Sequence, residues 1–109
     1  LRLLMSIDEP SSEVIRSVKA GVAWSESTKI KGYRYRRSTS DPALTKDPSA
    51  SPLWARFSEI ETNRPFFCDR DGVKKYDIMK IGSERRRGYS WFSNAGEKVA
   101  QAFTQWPHR

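Results

Sequence analysis

The chain has 109 residues, with twenty Lys and Arg against thirteen Asp and Glu, a formal net charge of +7 and a pI near 9.9. The length admits one domain or a piece of one, and aromatic residues spread along a chain that is 37% hydrophobic exclude a disordered polyelectrolyte. A single cysteine, Cys68, excludes an intrachain disulfide, and no apolar run approaches the roughly 18 residues of a membrane span.

Leu1-Arg2-Leu3-Leu4-Met5-Ser6-Ile7 opens inside an apolar pattern without an initiator methionine, which suggests that upstream sequence is missing. Pro10-Ser11-Ser12-Glu13 is a helix entry, and Val14, Ile15, Val18 and Val22 recur at helical spacing, predicting a helix over about 11–26. From Thr28 the period changes to two: Lys29, Lys31, Tyr33 and Tyr35 alternate with Ile30, Gly32, Arg34 and Arg36, as in an exposed strand. Residues 38–52 are rich in proline and serine and predict a loop. Leu53 to Ile60 and Pro65 to Cys68 read as short aromatic strands, and Asp69-Arg70-Asp71-Gly72 as a turn in which Gly72 takes positive φ. Asp77 caps a predicted second helix running to about Arg87, with Ile78 and Ile81 buried and Gly88 as its stop. Asn94 and Glu97 have capping-box spacing before a last helical stripe of Val99, Ala102, Phe103 and Trp106. The outline is helix, strand, loop, short strands, helix, helix.

Chemistry-bearing patterns are few. The run from Lys29 to Arg37 interleaves five basic residues with two tyrosines, and suits either a polyanion track or a charged edge strand that resists pairing. An EF-hand reading of Asp69-Arg70-Asp71-Gly72 fails, because the first and twelfth ligand positions hold Phe67 and Ile78. The one histidine, His108, lies next to the C-terminus, so no His-based zinc site or Ser-His-Asp triad can be assembled. Cys68 has no histidine partner and stands beside Asp69, which disfavours a thiolate. Arg56, Arg64 and Arg70 fall in or beside three short segments around a Trp- and Phe-rich cluster, where guanidinium forks could grip carboxylates. Arg85-Arg86-Arg87 reads as compensation of a helix dipole, with solvent as its other partner.

Read continuously, Leu53-Trp54-Ala55-Arg56-Phe57-Ser58-Glu59-Ile60-Glu61-Thr62-Asn63-Arg64-Pro65-Phe66-Phe67-Cys68-Asp69-Arg70-Asp71-Gly72 resembles a segment of the polysaccharide lyase family 10 pectate lyases. Lys75-Tyr76, Glu84-Arg85-Arg86-Arg87-Gly88-Tyr89-Ser90-Trp91 and the opening through Trp24 extend the resemblance over about residues 1–92. Ser58, Glu61 and Cys68-Asp69 depart from the family's usual residues and put the local sheet packing in question. The resemblance implies that residues 1–109 are the C-terminal portion of a pectate lyase catalytic domain, an incomplete α/α toroid that is mainly α with a small antiparallel β element. It implies cleavage of polygalacturonate or pectin oligosaccharide by calcium-assisted β-elimination, in a secreted, extracellular, bacterial-type enzyme that is a monomer when complete. The family's calcium ligands and its proposed base, an arginine, belong to segments before Leu1, so neither a catalytic nor a metal-binding residue is assigned here and the isolated chain is expected to be inactive. What carries over is substrate binding: Arg64 and Asn63 within N-R-P, Arg70 within R-D-G, and Arg56. The alternatives are a small basic nucleic-acid-binding module and a structural subdomain without a ligand. The lyase reading expects neither nucleic acid nor membrane as a partner.

Overall fold

The computed structural model describes residues 1–37 and 43–109, in two compact units: Leu1–Lys29 with Asn94–Arg109, and Ile30–Ser93. In the first unit α1 (Arg2–Met5) precedes α2 (Ser12–Thr28), which begins where Ser11 Oγ accepts the Val14 N–H at 3.2 Å. Capping of this kind satisfies an amide that the first helical turn leaves without a partner. Val18 is fully buried, Val14 and Val22 half so, as the predicted stripe requires, and α2 packs against α4 (Ala95–Thr104). A Cβ at Gly21 would fall 2.6 Å from a methyl of Leu1, the cap of α1, so Leu1 packs closely on α2 at this glycine. At the far end the Thr28 hydroxyl donates to the carbonyls of Trp24 and Ser25, which lie in the helix's last turn. The side chain of Asn94 does not cap α4, contrary to the capping-box spacing: φ −99° and ψ 23° place it in a turn, and the Glu97 N–H bonds to the Asn94 carbonyl at 3.0 Å instead. Trp106 ends this unit buried, beside Phe103 and His108.

Among the described residues the second unit has three antiparallel two-stranded ribbons. β1 (Tyr33–Tyr35) pairs with β2 (Leu44–Lys46), β3 (Trp54–Ala55) with β6 (Phe92–Ser93), and β4 (Phe67–Cys68) with β5 (Lys74–Lys75). Bridges Ile30–Leu53 and Ser58–Pro65 extend the pairing locally. Ala43, Phe67, Ile78, Ile81, Trp91 and Phe92 form one buried cluster, with Phe67 edge-on to Trp91 at 5.7 Å. Quadrupole-matched ring pairs of this sort add specific geometry to plain burial.

Three expectations change. The loop predicted over 38–52 contains β2, because Leu44, Thr45 and Lys46 face Tyr35, Arg34 and Tyr33 across the ribbon; residues 38–42 of that loop lie outside the described residues. The predicted strands shorten, and Gly32, at φ +84°, breaks the one that was to start at Thr28. The helix predicted from Asp77 to Arg87 is two pieces, a 3₁₀ turn (Ile78–Lys80) capped by Asp77 and α3 (Ser83–Gly88). Ile81 is extended between them, and the Gly82 N–H leaves the helical path to donate to Asp69 Oδ1 at 2.8 Å. The turn is as predicted, with Gly72 at φ +74° and Asp71 Oδ1 accepting the Val73 N–H.

The arginine run is not a solvated one. Arg86 is 8% exposed and donates through Nη1 to the Ile81 carbonyl at 2.5 Å. The Arg85 guanidinium lies 4.8 Å from the Tyr89 ring and 5.7 Å from Trp91, whose indole N–H donates to the Arg85 carbonyl. The helix is a single short turn and a half against the aromatic core, so these side chains fold onto that core rather than into water.

Candidate functional site

The site residues come from the loop between β3 and β4 and from the β4–β5 hairpin. Glu59 brackets the loop with its backbone: its N–H donates to the Arg64 carbonyl at 2.9 Å and its carbonyl accepts the Asn63 N–H at 3.0 Å. Asn63 sits at φ 58°, a left-handed conformation that asparagine tolerates better than most side chains, and this reverses the chain just before Arg64. The Arg64 N–H is then held by Thr62 Oγ1 at 3.1 Å.

The Arg64 guanidinium stacks at 3.8 Å over the Tyr76 ring, and among the described residues it pairs with no carboxylate. A cation on an aromatic face is held by the ring quadrupole without being neutralised. Arg64 and Tyr76 line a groove of about 500 Å³ whose other walls include Tyr33, Leu44, Phe67 and Met79, and one acid, Asp77, whose Oδ1 accepts the Met79 N–H. Positive charge beside apolar and aromatic walls suits an anion that also presents a carbon face, as a uronic acid does.

The other three predicted residues do not line that groove. Asn63 contributes the backbone reversal. Arg56 places its guanidinium 4.9 Å from the Tyr89 ring, in a ladder where Phe57 stacks between Phe66 and Tyr89. Arg70 turns its fork onto one acid: Nε and Nη2 donate to Glu84 Oε1 at 3.2 and 2.5 Å. Those bonds and the charge of Glu84 raise the Arg70 pKa, although both side chains are largely exposed and water screens the pair.

Sequence reasoning missed Glu59. Its carboxylate accepts the Thr62 hydroxyl at 3.0 Å, the Lys74 ammonium at 3.2 Å and the Tyr76 hydroxyl at 3.0 Å. Together these donors, led by Tyr76, hold its pKa below the ordinary glutamate value. The spacing of Glu59 and Thr62 was available as a local signal, whereas Tyr76 is 17 residues away in sequence.

The basic stretch is partly committed within the chain. Lys29 pairs with Glu26, Arg34 with Asp47 at 2.6 Å, and Arg37 Nε donates to the Arg87 carbonyl. The Tyr35 hydroxyl donates to the Tyr89 carbonyl and accepts the Trp91 N–H, so this ring braces the core instead of facing solvent. The Asp47 pKa is lowered, first by the Ser49 hydroxyl and amide and then by Arg34.

Among the described residues no three His, Cys, Asp or Glu side chains gather as metal ligands. No helix of the described residues is long and apolar enough to cross a membrane.

The family model described as pectic acid lyase matches residues 1–100. The chain is similar to a family 10 polysaccharide lyase from Cellvibrio cellulosa at 38% identity and a TM-score of 0.83, over 93% of this chain and 32% of that one. It is equally similar to an aspartate-to-alanine mutant of the Cellvibrio lyase in complex with trigalacturonic acid, at 39% identity and a TM-score of 0.82, over 91% of this chain and 32% of that one. The chain therefore spans about a third of the length of these lyases. No curated protein matches it.

Proposed function

The chain belongs to the pectic acid lyase family of polysaccharide lyases, and from that premise we propose that it supplies part of the substrate-binding face of an enzyme that cleaves polygalacturonate by β-elimination. In that reaction a base removes the C5 proton beside the uronate carboxylate, the C5 electron pair forms the C4–C5 double bond, and the C4–O bond breaks with the leaving oxygen taking a proton. Charge spreads onto the carboxylate as the proton leaves, so a cation bound there lowers the barrier.

Arg64 is the residue of this chain proposed for that task. Its guanidinium carbon lies 3.8 Å over the Tyr76 ring, and with no carboxylate partner among the described residues its N–H groups can donate to both oxygens of a carboxylate. The contact with the ring restricts the fork before substrate arrives and reduces the ordering cost on binding. The trigalacturonic acid bound to the Cellvibrio mutant supports an oligogalacturonate as the ligand class. Arg70 and Arg56 are secondary in this reading; Arg70 must exchange Glu84 for substrate, and Arg56 would bind beside Tyr89. Calcium would assist by neutralising uronate charge, held by residues outside this chain, and no step assigned to this chain runs through it. The proposed setting is a secreted, monomeric enzyme.

The observation that carries the reading is an arginine held over a tyrosine ring and paired with no carboxylate among the described residues. It lies in a groove whose walls are mostly apolar and aromatic and include one acid, Asp77, that does not pair with it. The test is Arg64→Lys in a polypeptide extended to the relatives' length. Lysine cannot reproduce the planar fork, and the expected loss is roughly 1.5–3 kcal/mol in substrate affinity, turnover or both, the range for a charge-assisted hydrogen bond. Melting temperature is measured on the same samples. Lost stability with unchanged kinetics would mean that Arg64 only braces the loop.

A further inference from the structure

The Arg64–Tyr76 stack has a second layer. The Tyr76 hydroxyl donates to Glu59 Oε2, the oxygen that also receives the Lys74 ammonium, while Thr62 donates to Oε1. Thr62 Oγ1 in turn accepts the Arg64 N–H, so one carboxylate is tied to both the backbone and the ring that support this arginine. A tyrosine anchored at its hydroxyl cannot swing about its side-chain torsions without breaking that bond, and the guanidinium lying 3.8 Å over the ring moves with it.

We infer that Glu59 is a positioning residue for the proposed uronate-binding arginine, acting through the neutral Tyr76 ring. Its functional meaning rests on the reading of Arg64 given above; the geometry it asserts is measurable without any ligand. An acid paired directly with Arg64 would also fix that side chain, but would compete with the substrate carboxylate for the same donors. The pair formed by Arg70 and Glu84 shows that direct arrangement in the same unit. Routing the contact through a phenol fixes the guanidinium and leaves its charge for an incoming anion. Lys74 offsets the negative charge of Glu59, which keeps that acid from acting as a long-range counter-ion to Arg64.

The experiment uses the 109-residue chain with Tyr76→Phe, which removes only the hydroxyl, and Glu59→Ala. The readouts are the ring-current shifts of the Arg64 Nε–H and Cδ protons by NMR, followed by titration with trigalacturonic acid. Methyl signals of the buried Ile78 and Ile81 verify that each variant keeps its fold. The Arg64 signals are expected upfield in the unaltered chain and displaced towards random-coil positions in both variants. Affinity for trigalacturonic acid is expected to fall roughly three- to tenfold in Tyr76→Phe, the ratio that a net hydrogen bond represents. Tyr76→Phe added to Arg64→Ala should then cost nothing more, because the two act on one contact. Arg64 signals that stay in place in Tyr76→Phe overturn the inference, including when Glu59→Ala fails to fold. Displaced signals with affinity indifferent to Arg64→Ala leave the positioning standing and overturn the substrate-binding reading instead.

Discussion

Replacing Arg86 by methionine is the most direct probe of the aromatic core beneath the site. The side chain is 8% exposed and its Nη1 donates to the Ile81 carbonyl at 2.5 Å, joining α3 to the extended residue that precedes it. Methionine matches much of the alkyl volume but cannot donate, and the carbonyl it abandons is next to a side chain buried at 2%. Loss of a charge-assisted hydrogen bond costs about 1.5–3 kcal/mol, and the buried acceptor left behind keeps the value from falling to that of a surface change. At about 5 °C per kcal/mol for a domain of this size, the melting temperature should drop by roughly 8–15 °C. Differential scanning calorimetry of Arg86→Met beside Arg36→Met, an exposed arginine, supplies the comparison. If the two variants melt within about 0.5 kcal/mol of each other, the ordinary range for surface substitutions, Arg86 does not tie α3 to the core and the reasoning is refuted.

Acidification should weaken the second unit through Glu59. Its folded pKa lies below the ordinary 4.5, so its contribution is complete above that value and is lost as pH falls through the lower folded value; acid denaturation of Glu59→Gln should show a shallower limb than the unaltered chain. The 109-residue chain by itself should not cleave polygalacturonate, because it spans about a third of the length of the lyases it matches and groups that act jointly lose nearly all catalysis when separated. A calcium-dependent rise in unsaturated-uronide absorbance from the purified chain would disprove it. Leu3 and Ile60 are 82% and 96% exposed, so Leu3→Ser with Ile60→Ser should reduce binding of a hydrophobic dye; unchanged dye fluorescence would place the responsible surface elsewhere.

The elements legible in the sequence were those made by local rules. α2 and its buried Val18 follow from one cap and one spacing, and the turn at Gly72 from the positive φ that glycine accepts at no cost. The pectic acid lyase family was legible too, through residues that lie close together along the chain. Arg64 was legible as a candidate because its motif is contiguous. What it stands on was not, because Tyr76 and Glu59 are brought together across a hairpin.

Tertiary structure alone decided the rest. The second helix breaks at Gly82 because Asp69, 13 residues earlier, takes its N–H, and no periodicity in Ile78 and Ile81 carries that competition. β2 forms within a proline- and serine-rich stretch because β1 offers it a ladder, and pairing is a property of two segments at once. Arg70 and Arg64 are the same residue type six positions apart, yet one meets Glu84 and the other meets a ring. Arg86 is buried while Arg85 beside it leans on the Tyr89 ring. Sequence states that a guanidinium is present. Whether it is neutralised, buried or held ready for an anion depends on which distant group folding places within a few ångströms, because charge interactions fall off with distance and desolvation depends on everything around them.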